Sequence, residues 1–135
     1  MSRVLLNGCV IGMLVAFSAC GGGSSAPSPI SMPSPNPSPS ASVATVTIMA
    51  SGVSPKTVQV AVAGHVTFAN QDTRSHTIDS DPHPVHTDCP AINQVGLLQS
   101  GQSRDTASLT VARSCGYHDH SAPFDTIMQG TIVVQ

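Results

Sequence analysis

Soft metal donors crowd the C-terminal end of this chain. Arg113-Ser114-Cys115-Gly116-Tyr117-His118-Asp119-His120 is followed closely by Met128-Gln129-Gly130. A thiolate beside imidazoles and a thioether is a ligand set that suits copper. One more histidine, from a distant strand, would complete it. Two further imidazoles, His83 and His86, lie in Asp81-Pro82-His83-Pro84-Val85-His86-Thr87-Asp88-Cys89-Pro90. Six histidines in 135 residues is a compositional excess that asks for a reason.

The state of Cys115 decides which chemistry is available. The chain has four cysteines, Cys9, Cys20, Cys89 and Cys115. The N-terminal pair belongs to a targeting segment, so the folded part keeps two. As a thiolate, Cys115 binds metal. In an exported protein two cysteines often pair. A Cys89–Cys115 bridge would leave His76, His83, His86, His118 and His120 as nitrogen donors for Cu(II) or Zn(II). Plainer roles exist too. His76 could end a strand in an ordinary hydrogen bond, and Met128 could pack beside Ile127 and Ile132. His83, His86 and His120 could be solvated loop residues, and His65 reads as surface-facing.

The elements that must position these side chains are short strands. Val43 to Ile48 is β-branched and alternating. Lys56 to Val62 places Val58, Val60 and Val62 on one face, and His65 to Asn70 and Ser75 to Ile78 follow. Thr106 to Val111 alternates again, and Gly130 to Gln135 closes the chain. Turn signals separate the runs, and no stretch sustains a helical period. Such spacing predicts an all-β antiparallel sandwich or barrel over residues 43–135. Three prolines between Asp81 and Pro90 exclude a central strand, so Asp79 to Leu98 reads as a long loop of functional interest.

Taken in order, these runs resemble the cupredoxin family, blue copper domains of the plastocyanin and pseudoazurin type. The resemblance rests on Ser54-Pro55-Lys56-Thr57-Val58-Gln59-Val60, on Gly64-His65-Val66-Thr67-Phe68-Ala69-Asn70-Gln71-Asp72 with His76-Thr77, and on the order Cys115, His118, Met128, Gly130. It implies a Greek-key β-sandwich holding one copper ion through His76, Cys115 and His118, with Met128 as a weak axial ligand. Three departures stand out. Nine residues, Asp119 to Ile127, separate His118 from Met128, where the family's loop is usually short. His120 offers a second register, and the His83/His86 loop is not standard.

The N-terminus reads as an address. Arg3 precedes a largely apolar run from Val4 to Phe17, too short for a comfortable membrane span and right for a secretory signal. Ala16-Phe17-Ser18-Ala19-Cys20-Gly21 resembles a bacterial lipoprotein signal, with residues 1–19 removed and Cys20 lipidated. Residues 20–42, dominated by Ser, Pro and Ala, predict a disordered tether. A formal net charge of −2 gives no support for nucleic-acid or anionic-lipid binding.

The expected protein is therefore a monomeric copper protein, lipid-anchored in the bacterial envelope. The first expectation is single-electron transfer with redox partner proteins and no enzymatic activity; no nucleophile elbow is present. The alternative is non-redox metal handling, or a metal-free module, with Cys89 and Cys115 bridged.

Overall fold

Period-two burial of β-branched residues builds the strands. Along β1 (Val43–Met49), Val46 and Ile48 are fully buried while Val43 and Thr45 are exposed. The same alternation buries Val58 and Val60 on β3 (Thr57–Val60), and Val66, Phe68 and Asn70 on β4 (His65–Asn70). The computed structural model describes residues 40–135. The signal peptide expected over 1–19, Cys20 and the tether up to residue 39 lie outside the described residues. At the end of that tether, the Ala41 carbonyl accepts from the Ala61 amide at 2.8 Å and Ser42 from His65 at 3.0 Å. The chain is thus already tied to the sheets before β1 begins.

Among the described residues, nine strands form two sheets. The remaining six are β2 (Gly52–Ser54), β5 (His76–Ser80), β6 (Gly96–Leu98), β7 (Ser103–Asp105), β8 (Arg113–Asp119) and β9 (Gly130–Val134). One sheet runs β2-β1-β4-β7 and the other β3-β9-β8-β5-β6. The sandwich that the resemblance implies is present, but it is not purely antiparallel: β1 pairs with β4, and β3 with β9, in parallel. The inner faces meet in an apolar core in which Phe68 and Tyr117 pack edge to face at 4.9 Å. Gly130 faces the Tyr117 ring so closely that a Cβ there would collide with it.

Two segments depart from the sequence reading. Thr106 to Val111 is not a regular strand; it contributes an isolated bridge from Leu109 to Gly64. Its remaining bonds go to scattered partners, including Thr106 Oγ1, which accepts from the Val66 amide, and Ala107, which donates to Ala91. Arg113 to Asp119, not among the strands read from the sequence, is a central strand paired with both β9 and β5. Gly116 weakens its local β signal, and tertiary pairing overrides that. Among the described residues, no helix is long and apolar enough to cross a membrane.

Candidate metal centre

The register of β5 against β8 sorts the site residues. Ile78 stands opposite Asp119, Asp79 opposite His118, and Ser80 opposite Tyr117. Side chains alternate between faces, so Cys115, Tyr117 and Asp119 point into the sandwich while Gly116 and His118 point to the outer face, with Asp79. On that outer face, the chain beyond β5 folds back over β8. It brings His83 and His86 against His118, and His120 joins them just past the strand end.

The four rings form one cluster. His86 lies 5.2 Å from His118 and 5.0 Å from His120 between ring centroids; His83 lies 5.6 Å and 5.1 Å from the same two. One ring nitrogen from each can be chosen so that all four lie within 4.8 Å of one another. Nδ1 of His83 and Nε2 of His86 and His118 are buried without hydrogen-bond partners. A buried unpaired polar atom costs about 1–3 kcal/mol, so three converging on one point is unusual unless a cation serves them all.

Carboxylates stand behind the rings. His118 Nδ1 meets Asp81 Oδ1 at 2.7 Å, and His120 Nδ1 meets Asp79 Oδ2 at 3.2 Å. His86 Nδ1 lies 3.9 Å from the same Asp79 oxygen. An Nδ1–H donated to a carboxylate leaves the Nε2 lone pair free for a metal and fixes the ring's orientation. Asp81 reaches His118 across Gly116, where any side chain would strike its carboxylate. Burial, and then the neighbouring imidazoles of His120, His118 and His86, hold the His83 pKa below its ordinary value. That favours the neutral, metal-binding form.

The loop is firmly held. Its backbone joins β8 where the Asp81 amide donates to Gly116, and the Asp88 amide donates back to Asp81 at 2.8 Å. The His86 carbonyl accepts from Ser80 Oγ at 3.0 Å and from Asn93 Nδ2 at 2.9 Å. His86 adopts a φ of 49°, a left-handed conformation uncommon outside glycine. Arg113 pairs with Asp88. A disulfide joins Cys89 to Cys115 across 26 residues, tying the strand that carries His118 to the loop that carries His83 and His86.

The blue-copper quartet expected from the sequence is not brought together. Cys115 is bonded to Cys89 and offers no thiolate. His76 lies on the inner face of β5, opposite to the face that presents His118. Its Nδ1 meets Asp119 Oδ2 at 2.8 Å and its Nε2 meets Asp72 Oδ2 at 3.0 Å, so neither nitrogen is free. Met128 is packed in the core at the end of a short 3-10 turn, Thr126–Met128. His118 instead joins His83, His86 and His120, the residues that the cupredoxin pattern favoured least. The sequence reading missed the carboxylates Asp72, Asp79, Asp81 and Asp119. A usable signal was present: His118/His120 and Asp79/Asp81 are each two apart, the spacing that places a pair on one face of a strand.

No family model and no curated protein matches this sequence. Solved structures do. The purple cupredoxin from Nitrosopumilus maritimus superposes with a TM-score of 0.53 at 20% identity, covering 68% of this chain and 99% of that one. Reduced auracyanin from Roseiflexus castenholzii gives 0.54 at 16% identity, covering 72% and 99%. Oxidised plastocyanin from Dryopteris crassirhizoma gives 0.53 at 16% identity, covering 67% and 99%. Strand order, sandwich packing and these superpositions agree that the chain has the cupredoxin fold.

Proposed function

We propose that this protein is a copper-handling module of the cell envelope that holds a single ion through His83, His86, His118 and His120. The observation that carries this reading is the convergence of four imidazoles with three buried, unpartnered nitrogens. Imidazole suits copper and zinc alike, and divalent copper binds nitrogen sites more tightly than zinc does. Asp79 and Asp81 orient the rings from behind and offset the ion's charge. When bound, copper would supply a redox-capable Lewis acid. The protein's part is to hold neutral imidazoles in place and to keep the outer face of β8 covered by the loop.

Electron transfer was the first expectation for a thiolate-bound copper. With Cys115 bridged, the motive for that reading falls away, and binding and delivery of the ion is favoured over electron traffic or catalysis. Export agrees with the disulfide, because such bonds persist in oxidising compartments. Lipidation at Cys20 would hold the domain at the membrane, within reach of envelope proteins that supply or accept copper.

Copper titration of the full chain tests this. The expected result is saturation at one equivalent, nitrogen hyperfine structure in the paramagnetic resonance spectrum, only a weak visible band, and no titratable thiol in the folded domain. An intense blue band would restore the thiolate reading. Binding of zinc with no competition from copper would reassign the metal, and no binding of either would leave a metal-free module.

A further inference from the structure

We infer that the metal centre keeps one position open to a small external donor on the side of His120, and that His120 is its exchangeable ligand. This rests on the four-histidine reading above.

The four rings are not equivalent. The His118 side chain is 1% exposed and that of His86 15%, whereas His120 is 46% exposed. The three orphaned buried nitrogens belong to His83, His86 and His118. Three inward-facing donors beneath a fourth that borders solvent describe a site with one accessible position. A metal site built only to stabilise a fold encloses all its ligands, and an open position marks exchange with water or another donor.

What surrounds His120 supports the same reading. Its amide is fixed by the Thr77 carbonyl at 2.7 Å, but beyond its contact with Asp79 the ring has no hydrogen-bond partner. The chain then turns through Ser121 to Asp125, the Ala122 amide donating to Asp119 and the Asp125 amide to Ala122. Phe124, 85% exposed, has its ring 6.2 Å from His83 and borders the cluster without closing over it.

Charge at the mouth leaves the ion as the anchor for any external ligand. Among the described residues the cations are engaged elsewhere: Lys56 with the Thr126 carbonyl, Arg74 with Asp72, Arg104 with the Val95 carbonyl, and Arg113 with Asp88. No cationic side chain waits at the mouth and the Asp79 carboxylate lies against His120, so a small inorganic anion has no anchor in the protein and would be held by the ion itself. Its binding is then strictly copper-dependent, and it displaces water or His120 without any change in the ion's oxidation state.

Azide is the probe. Added to the copper(II)-loaded full chain, it should produce a new near-ultraviolet charge-transfer band that saturates at one azide per copper, and none in the copper-free protein. His120→Ala should keep one copper with affinity within about tenfold of the parent and keep the azide response. His118→Ala should lose affinity by roughly a hundredfold or more, beyond what loss of an outer-shell partner does. An unchanged spectrum with copper fully bound overturns the open position. Equal copper loss in His120→Ala and His118→Ala overturns the exchangeable ligand. Failure of the parent chain to bind copper would instead sink the four-histidine site itself.

Discussion

His76 and His118 are presented on opposite faces of one sheet. His118 sits across from Asp79 on the outer face, and His76 points inward to Asp119. Two residues separated in this way cannot ligate one ion without unpairing β5 from β8. His76→Gln should therefore leave copper stoichiometry and affinity unchanged while lowering stability, because it disturbs a buried pair of carboxylates. Isothermal titration beside thermal denaturation checks this; loss of copper binding in a folded variant would return His76 to the site.

Asp81 acts through His118. Its side chain is half exposed, so Asp81→Asn should fold normally. The amide no longer draws Nδ1–H as strongly, and copper affinity should fall by about 10- to 100-fold. Competition against a chelator measures the change, with circular dichroism as the control for folding.

The disulfide clamps the loop to the strand. Closing a loop of this length contributes on the order of 3 kcal/mol. The double variant Cys89→Ser/Cys115→Ser should lose about that much in denaturant unfolding. It should also bind copper more weakly, because His83 and His86 are no longer held against β8. Copper affinity equal to the parent's would show that hydrogen bonds alone hold the loop.

Gly130 allows the last strand to lie against Tyr117. Gly130→Ala places a Cβ into the phenol ring, and overpacking of this kind costs about 1–3 kcal/mol. Copper stoichiometry should be unaffected, since the atoms that a Cβ at Gly130 would meet belong to Tyr117 and Lys56 and not to the four histidines. A melting temperature equal to the parent's would contradict the contact.

Asp72 predicts an acid limb in the stability curve. Its pKa falls from 3.8 to about 2, chiefly through the hydrogen bond with His76. A carboxyl depressed on folding contributes stability that is fully present above the unfolded pKa and is lost as pH falls through the folded one. The loss should therefore develop below about pH 4 and be nearly complete near pH 2. Asp72→Asn should flatten that limb; denaturation midpoints measured across this range decide it.

Much of the fold was legible in the chain itself. Alternating valines and isoleucines marked β1, β3, β4 and β9, because burying one face of a strand requires that period whatever the partner strands are. Histidine richness pointed towards metal binding, and the two remaining cysteines allowed a bridge. Only the tertiary structure could show which imidazoles come together. Pairing register determines the face from which each side chain emerges, and a shift of one residue would exchange those faces. The same register sends His76 inward to two carboxylates and His118 outward to a loop that linear spacing could not place. Cys115 shows the reason most plainly: whether a sulfur is a ligand or half of a disulfide depends on what folds against it, and here that is Cys89.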